Sequence, residues 1–232
     1  MPVSIVTQED NLAMMSRYPD KFFDLAVVDP PYGIGASNVK RGGKKHGNSC
    51  AVSKDYGNKD WDNQVPEANY FNELIRVSKN QVIWGGNYMC HLLPPSSCWL
   101  VWDKLTGENG YADFELAYTS FDKACRKFTF RWQGMLQGNM AEKELRYHPT
   151  QKPIILYRWI LEKFAVPKQK ILDTHLGSGS SRIAAYDLGF DFYGCEKDYD
   201  YWLAAENRFK THIAQQKLFA PEQIKVEQTN LF

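Results

Sequence analysis

Apolar and polar positions along the chain predict strands that alternate with helices. A nearly continuous apolar run over residues 24–28 stops at Asp29 and is followed by two prolines, as is typical of a buried parallel strand. Further along, residues 170–173 predict a strand, 180–188 a helix and 190–196 a second strand. This last strand-helix-strand unit is the clearest structural pattern in the sequence.

The middle of the chain adds helices and strands of the same kind. Helical spacing of apolar side chains predicts helices over residues 69–78 and 153–164. Short apolar runs predict strands over residues 81–84, 99–102 and 114–120. Strands that alternate with helices in this way indicate an α/β fold with a doubly wound, mostly parallel sheet.

The whole chain, residues 1–232, is expected to form a single domain, because its length suits one substantial core and leaves little room for a second. Residues 33–64 are rich in Gly, Lys, Asn and Ser and lack periodicity, which predicts a mobile or functional loop. Residues 121–147 are more polar and are not assigned to an element.

Composition places the chain among ordinary globular proteins. Hydrophobic residues make up 44% and charged residues 24%, and no apolar run approaches the roughly 18 residues that a membrane span needs. The N-terminus lacks the features of a secretory signal, so we expect a soluble, cytoplasmic protein with no membrane partner. The five cysteines are scattered singly without zinc-binding spacing, which favours reduced structural thiols and no metal.

The net charge is only +1, which by itself argues against a nucleic-acid partner, because phosphate binding usually requires a strongly basic surface. The distribution of charge is more informative than its sum. Basic residues concentrate in two stretches, Lys40, Arg41, Lys44, Lys45 and His46 in the first and Lys123, Arg126, Lys127 and Arg131 in the second. Either cluster, taken alone, is more typical of a solvated face than of a DNA-binding site.

The turn after residue 173 has the composition of a cofactor site. Gly177 and Gly179 let a ligand approach the backbone, and the helix that follows offers free N–H groups. Glu196 lies 19 residues after Gly177, at the end of the next predicted strand, where it can accept hydrogen bonds from ribose hydroxyls. Arg182 replaces the third glycine of a dinucleotide motif, and no P-loop sequence is present. A nucleoside-bearing cofactor is therefore favoured over a plain tight turn.

The sequence Asp29-Pro30-Pro31-Tyr32 suits methylation of an amino group that is conjugated with an aromatic ring. A carboxylate and a proline carbonyl can accept hydrogen bonds from the two amino hydrogens and draw the nitrogen toward a nucleophilic geometry. Tyr32 offers a flat face for a base that has been turned out of its helix. The alternative is a strand-terminating turn with a packed tyrosine.

Three motifs together resemble a known family. The sequences DPPY at residues 29–32, HPTQKP at 148–153 and DTHLGSG at 173–179 are similar, in that order, to the permuted β-class of DNA amino-methyltransferases. In this class the catalytic half precedes the cofactor-binding half. The resemblance extends from about Ile5 to about Phe209 and implies a Rossmann-like methyltransferase fold with S-adenosylmethionine as the cofactor.

The resemblance also implies roles for individual residues. Asp29, Pro30, Pro31 and Tyr32 would form the catalytic motif. Cofactor contacts are implied for Asp10, Thr150, Lys152, Asp173, His175, Gly177, Ser178, Gly179 and Glu196. Among these, Asp10 is expected near the adenine of the cofactor, Glu196 at the ribose, and Lys152 near the methionine carboxylate.

The sequence departs from the family pattern at two places. The family usually has a proline and an aromatic residue where Thr174 and His175 stand, and threonines in place of Ser180 and Ser181. His175 can still pack on the cofactor, although its protonation would put a second positive charge near the sulfonium. Only residues 121–146 are left for target recognition, which predicts a short recognition site or relaxed sequence preference and fits an orphan or phage-borne enzyme.

The sequence as a whole predicts transfer of a methyl group to the N6 amino group of adenine in double-stranded DNA, after base flipping. Within the family both basic stretches are expected to contact DNA, through Lys40, Arg41, Lys44, Lys45, Arg126, Lys127 and Arg131. The resemblance is also compatible with a homodimer. Cytosine N4 in DNA and adenine in RNA remain alternative acceptors. A DNA-binding protein without activity and a nucleotide-dependent oxidoreductase are the alternatives from other functional classes.

Overall fold

The computed structural model of the protein describes residues 2–36, 59–107, 112–133, 136–141 and 143–219. Most of the loop predicted over 33–64 lies outside these ranges. The same holds for the predicted DNA contacts Lys40, Arg41, Lys44 and Lys45. No helix within the described ranges is long and apolar enough to cross a membrane.

Eight strands of the described residues form the main sheet. They are β1 (Ser4–Gln8), β2 (Phe23–Val28), β3 (Ser78–Trp84), β4 (Trp99–Asp103), β5 (Phe114–Thr119), β6 (Arg126–Thr129), β9 (Lys170–Asp173) and β10 (Asp191–Glu196). Two short strands, β7 (Trp132–Gln133) and β8 (Leu136–Gln137), form a separate antiparallel pair. Across the main sheet the order is β1-β10-β9-β2-β3-β5-β4-β6, and β5 runs antiparallel to both of its neighbours.

Five α-helices in the described part of the chain cover the sheet. They are α1 (Asn11–Met15), α2 (Ala68–Val77), α3 (Ile154–Phe164), α4 (Ser180–Asp187) and α5 (Tyr199–Phe219). Side chains of α1 and α2 belong to the core on one face of the sheet, and those of α3, α4 and α5 belong to the core on the other. The predicted fold class, a doubly wound and mostly parallel α/β sheet, is therefore confirmed.

Strand β2 shows why the sequence reads as a continuous apolar run. Leu25 and Val27 point into the core beneath α3 and α4, while Ala26 and Val28 point into the core beneath α2. Each of these side chains is at most 1% exposed. A strand buried on both faces needs apolar residues at every position, because neither face meets water.

Most predicted elements lie within a few residues of the observed ones, and the main differences concern pairing. Strand β3 begins at Ser78, three residues before the predicted start, and the pattern gave no indication that β5 would insert between β3 and β4. Elements β1, α1 and α5 were not predicted. The unassigned segment after residue 121 contributes the edge strand β6 and the β7–β8 pair.

The sheet reverses its winding between β9 and β2. From β2 the chain continues through α2 to β3 on one side, whereas from β9 it continues through α4 to β10 on the other. Helices diverge at such a switch point and leave a crevice beyond the carboxyl ends of the strands, where ligands bind in open α/β sheets. Asp29 follows β2 and Asp173 ends β9, so both lie at this crevice.

Gly85 directly follows strand β3, and its conformation supports this crevice. Gly85 has a φ of +68°, and a Cβ atom built on it would lie 2.1 Å from the Tyr32 ring. The ring therefore lies directly against the backbone, and Tyr88 stacks with it at a centroid distance of 5.2 Å. A glycine is required here both by the left-handed backbone and by the close approach of the tyrosine.

We expect Gly85→Ala to lower the free energy of unfolding by more than the roughly 1–2 kcal/mol that a left-handed alanine costs, because the Tyr32 ring must also move. Gly107→Ala is the matched control, since Gly107 has a φ of +70° but no atom within 4 Å of the place that a Cβ atom would take. Urea denaturation of both variants measures the difference. Equal losses would show that the Tyr32 contact contributes nothing.

Candidate active site

Asp29 lies at the centre of a compact group of polar side chains. Its Oδ1 accepts a hydrogen bond from the Tyr32 hydroxyl at 2.7 Å and lies 2.6 Å from Lys152 Nζ. Lys152 Nζ is also 3.0 Å from the Tyr32 hydroxyl and 3.2 Å from Glu115 Oε2. Lys104 Nζ in turn lies 2.9 Å from Glu115 Oε1. Two carboxylates and two ammonium groups thus form one network.

Burial and neighbouring charge oppose one another in this network. Burial raises the pKa of Asp29, and the ammonium of Lys152 limits this rise. The pKa of Lys152 is raised, because Asp29 and Glu115 together outweigh its burial. Burial also acts to raise the pKa of Glu115, but Lys152 and Lys104 prevail and lower it to about 2. Glu115 is therefore a permanent anion at neutral pH.

Asp62 holds the backbone of the catalytic motif. Its Oδ1 accepts hydrogen bonds from the backbone N–H of Tyr32 at 2.7 Å and of Gly33 at 3.0 Å, and its Oδ2 accepts one from Ala36 at 2.7 Å. The carboxylate is 2% exposed. Hydrogen bonds to a buried carboxylate are strong, so Asp62 determines how the chain turns after Pro31. Sequence analysis did not select this residue.

A cavity of about 420 Å³ opens on one side of Asp29. We call it the Tyr32 cavity. Aromatic side chains form much of its wall, namely Tyr32, Trp61, Trp102 and Trp132. The guanidinium of Arg146 lies over the Trp132 ring at 4.8 Å, and Glu115 and Lys104 supply charged groups. Flat aromatic walls with a few polar groups suit a planar heterocycle.

A second cavity of about 840 Å³ lies on the other side of Asp29. We call it the His175 cavity. Its described lining includes seven acidic side chains and two lysines, namely Glu9, Asp10, Asp29, Asp60, Glu67, Glu196 and Asp198 with Lys152 and Lys197. This excess of negative charge favours a cationic ligand. The two cavities share Asp29, Pro31, Trp61, Thr150, Gln151 and Lys152.

The predicted cofactor turn forms one wall of the His175 cavity. Gly177 and Ser178 line it, and the backbone N–H of Gly177 donates to Glu196 Oε2 at 2.8 Å. Glu196 Oε1 accepts from the backbone N–H of Asp198 at 2.9 Å. Both oxygens of Glu196 are thereby oriented by backbone groups, and each keeps a lone pair for a ligand hydroxyl.

Asp173 and Gly179 belong to the same turn but do not line the cavity among its described walls. Asp173 accepts from the backbone N–H of His175 at 3.0 Å and from the Ser181 hydroxyl at 2.5 Å. Burial raises its pKa to about 7. Gly179 has a φ of +75° and faces Ala205 of α5, with 3.3 Å left for a Cβ atom. Both residues support the turn in this structure, and their direct contact with the cofactor stays a prediction.

His175 lies in the cavity wall as a neutral ring. Burial lowers its pKa to about 4, which removes the second positive charge considered from the sequence. The amide nitrogen of Asn11 lies 3.1 Å from His175 Nε2 and can only donate, so Nε2 accepts and Nδ1 carries the proton. Nδ1 can then donate to Thr174 Oγ1 at 3.1 Å.

The remaining predicted cofactor residues take different positions. Asp10 lines the His175 cavity and caps α1, since its Oδ1 accepts from the backbone N–H of Leu12 at 3.0 Å. Thr150 lines both cavities, with its hydroxyl 3.1 Å from His148 Nδ1. Lys152 reaches both cavities, but its ammonium contacts Asp29 and Glu115, whereas the expectation placed it at the methionine carboxylate.

A buried ion pair connects the cofactor turn with the segment before the HPTQKP sequence. Arg208 of α5 donates at 2.9 Å to the Ser178 carbonyl and to the Ser180 hydroxyl, and it lies 2.8 Å from Glu144 Oε2. Glu144 also accepts from the backbone N–H of Ile154 at 2.8 Å. The two cavity walls are therefore linked through side chains that are distant in the sequence.

The predicted DNA contacts of the second basic stretch are spread along the sheet edge. Arg131 is exposed and adjoins Trp132 in the wall of the Tyr32 cavity. Arg126 and Lys127 are also exposed but begin β6, opposite Leu100 and Val101. The cavity lies toward the other end of that strand, so Arg131 is the member of this stretch at the cavity rim.

Comparisons with known proteins support the family that the sequence predicted. A family model described as DNA methylase matches residues 100–207, which include the HPTQKP sequence, the cofactor turn and Glu196. The type II methyltransferase M2.LlaDCHI of Lactococcus lactis subsp. cremoris is 24% identical across 88% of this chain and 88% of its own length. These matches support the DNA amino-methyltransferase family that the sequence predicted. The resemblance recognised from the sequence is confirmed.

Solved structures of DNA methyltransferases share the fold. A putative DNA modification methylase of Thermus thermophilus, in complex with S-adenosyl-L-methionine, superposes with a TM-score of 0.52, covering 91% of this chain and 96% of that one at 15% identity. The PvuII DNA methyltransferase, described as cytosine-N4-specific, gives a TM-score of 0.57, covering 89% and 87% at 11% identity. These likenesses support the fold.

S-adenosylmethionine is the cofactor of this family, as predicted, and the His175 cavity fits it. The acidic lining suits a ligand that carries a sulfonium and an ammonium group. Glu196 at the end of β10 presents oxygens suited to the ribose, and the rings of Tyr70 and Trp61 in the wall suit the flat adenine and the sulfonium. Because His175 is neutral, it can line this cavity without repelling the sulfonium of the cofactor.

Sequence analysis missed several residues of the site. Glu115, Lys104 and Trp102 come from β4, β5 and the turn between them, and only the insertion of β5 beside β3 brings them to Asp29. A glutamate within an otherwise apolar predicted strand was the available signal for Glu115. Asp62 lay within the predicted loop, where no periodic pattern distinguishes one acidic residue from another.

We expect Asp62→Ala to lower the free energy of unfolding by roughly 3 kcal/mol, because three partly buried N–H donors lose their acceptor. Asp62→Asn should lose less, since it keeps one acceptor oxygen. Asp60→Ala, two residues away and exposed, is the matched control. Urea denaturation provides the values. A loss for Asp62→Ala no greater than for Asp60→Ala would contradict the role of Asp62.

The lowered pKa of His175 predicts a contribution to stability that depends on pH. The unfolded state gains a proton near pH 6.5, whereas the folded protein does so only near pH 4, so this contribution is lost as pH falls between these values. The stability difference between wild type and His175→Gln should therefore fall by about 2 kcal/mol from pH 7 to pH 5. The exposed His91→Gln is the control for losing a histidine. A difference that stays constant with pH would contradict the prediction.

Proposed function

We propose that this protein transfers a methyl group from S-adenosylmethionine to the N6 amino group of adenine in DNA, with the target base turned out of the duplex into the Tyr32 cavity. The observation that carries the proposal is the position of Asp29 between two cavities. One cavity is acidic and suits the cofactor, and the other is aromatic and suits a base. Asp29 lies where their contents would meet.

Bound S-adenosylmethionine supplies an activated methyl group on its sulfonium. The protein's contribution is to align the amino nitrogen and to accept its hydrogens. Tyr32 and Lys152 both lie closest to Asp29 Oδ1, so Oδ2 is the oxygen left to accept from the amino group. We assign the carbonyl of Pro30 as the hydrogen-bond acceptor for the second amino hydrogen. The nitrogen loses one proton as it gains the methyl group, and Asp29 Oδ2 is its nearest acceptor.

Aromatic side chains would hold the base. Trp102 and Trp132 line the Tyr32 cavity, and base stacking on such rings is worth about 1–3 kcal/mol each. Tyr88 already stacks on Tyr32 with an interplanar angle of 18°, so one face of the Tyr32 ring is covered and a base would rely on the tryptophans. Arg131, which is exposed and adjoins Trp132 of the cavity wall, is assigned to a DNA phosphate.

The choice of adenine depends on Asp29. The resemblance associates an aspartate at this position with adenine and a serine more often with cytosine N4. The fold likeness to a cytosine-N4-specific enzyme does not bear on this choice, because the sequences are only 11% identical. Direct analysis of the methylated product therefore tests the assignment of adenine.

Asp29→Ala is expected to reduce methyl transfer by at least about 100-fold, because the amino group loses its carboxylate acceptor. The assay incubates enzyme, labelled S-adenosylmethionine and unmethylated DNA. Asp24→Ala is the matched control. Asp24 lies in β2, at the end opposite to Asp29, where it accepts from Lys79 Nζ and from the backbone N–H of Lys170. Near wild-type transfer by Asp29→Ala would overturn the proposal.

Mass spectrometry of nucleosides from reacted DNA and RNA identifies the acceptor. N6-methyladenine in DNA is the expected product. N4-methylcytosine, or methylation confined to RNA, would contradict the adenine-in-DNA assignment while leaving methyl transfer intact. Failure of the wild type to bind S-adenosylmethionine would favour a DNA-binding protein without activity. Binding of NAD instead would favour an oxidoreductase.

A further inference from the structure

Lys152 directs its ammonium group toward Asp29, Tyr32 and Glu115. Three oxygens lie within 3.2 Å of Nζ, namely Asp29 Oδ1 at 2.6 Å, the Tyr32 hydroxyl at 3.0 Å and Glu115 Oε2 at 3.2 Å. An ammonium group has only N–H donors and seeks oxygen partners. All three oxygens lie on the side of Asp29, so the described polar contacts of Nζ are with the Asp29 network and not with the cofactor turn.

We infer that Lys152 is a positioning residue for Asp29 and not a ligand of the cofactor. The inference rests on the proposed function, since it assigns Lys152 to the carboxylate that contacts the acceptor amino group. Lys152 and Tyr32 both bind Oδ1 of Asp29 and so restrain rotation of its carboxylate. Oδ2 then stays directed toward the amino group that accepts the methyl group. Lys152 is 4% exposed, so bulk water does not compete for these contacts.

Glu115 completes the arrangement as the second anion. Without it, Lys152 and Lys104 would place two positive charges beside one carboxylate. With it, Asp29 and Glu115 balance Lys152 and Lys104, and the network is neutral as a whole. Charges buried in this way are stable only when they are paired. Glu115 thus acts on Asp29 through Lys152.

Other titratable groups face this network from the elements packed around it. Tyr32 belongs to the same turn as Asp29, Tyr157 to α3, Asp173 to β9, and His148 to the segment before Lys152. The pKa of Tyr32 and that of Tyr157 are raised well above their usual value by burial, and burial lowers the pKa of His148 to about 3. These three groups stay neutral near pH 7, so Lys152 is the cation next to Asp29.

Loss of Lys152 and loss of Glu115 should therefore change Asp29 in opposite directions. Without Lys152, only the hydrogen bond from Tyr32 opposes burial, so the pKa of Asp29 rises, and a protonated carboxyl cannot accept as the mechanism requires. Without Glu115, the repulsion between the two carboxylates disappears and the pKa of Asp29 falls. A residue that only supports the fold would not produce shifts of opposite sign.

The experiment compares Lys152→Met, Lys152→Arg and Glu115→Gln in the full chain. Lys163→Met, an exposed lysine on α3, is the matched control for loss of a charge. We measure kcat for methyl transfer from pH 5 to pH 9 and cofactor binding by calorimetry. Circular dichroism confirms folding. If Lys152→Met does not fold, Lys152→Arg and Glu115→Gln still test the inference, because both retain polar side chains at these sites.

For Lys152→Met we expect kcat at pH 7 to fall by about 100-fold. The acidic limb of the plot of kcat against pH should move to higher pH by at least about 1 unit. Glu115→Gln should displace the same limb downward, and Lys152→Arg should keep it near the wild-type position. Cofactor Kd should change by less than about threefold in all three, since binding that depended on a lysine–carboxylate bond would change by tenfold or more.

Two results would overturn the inference. One is a large loss of cofactor affinity in Lys152→Met with an unchanged acidic limb, and the other is a limb that moves in the same direction in Lys152→Met and Glu115→Gln. An inactive wild type would instead contradict the proposed function. In that event, carbon-13 NMR of labelled aspartate carboxyls, with Asp29→Asn for assignment, measures whether the Asp29 titration moves upward in Lys152→Met.

Discussion

A carboxylate that is largely removed from water stays ionised only if a cation compensates for the lost hydration, and the site is arranged around this requirement at Asp29. Lys152 supplies the cation at 2.6 Å. Because Lys152 is itself buried, it requires Glu115, and Glu115 is in turn paired with Lys104. Four charges from different elements must be in place together before Asp29 can have the chemistry that the DPPY sequence suggests.

The sheet topology explains why these groups can meet. Winding reverses between β9 and β2, which opens a crevice beyond the carboxyl ends of the strands. The cofactor turn follows β9 on one side, and the catalytic motif follows β2 on the other. The insertion of antiparallel β5 then brings Glu115 to the same edge. Two separate cavities thus meet at Asp29, which is the arrangement that the proposed methyl transfer needs.

Support for the site comes from side chains that do no chemistry themselves. Asp62 holds the backbone after the catalytic motif through three hydrogen bonds, and Gly85 leaves room for the Tyr32 ring. Arg208 and Glu144 join the cofactor turn to the segment that carries Lys152. Reacting groups keep their geometry only when such surrounding contacts fix their rotamers and backbone, which is how alignment contributes to catalysis.

The sequence by itself determined the fold class, most of the strands and helices, the family and the cofactor, because each depends on periodicity or on motifs of consecutive residues. The DPPY and DTHLGSG sequences can each be recognised from consecutive residues alone. Only the tertiary structure decided the partners of Asp29, since Glu115 lies 86 positions away and reaches it through strand pairing that no local pattern encodes. For the same reason the ammonium of Lys152, expected at the cofactor, lies at the catalytic carboxylate. Which side chains compensate a buried charge depends on the register and packing of distant elements.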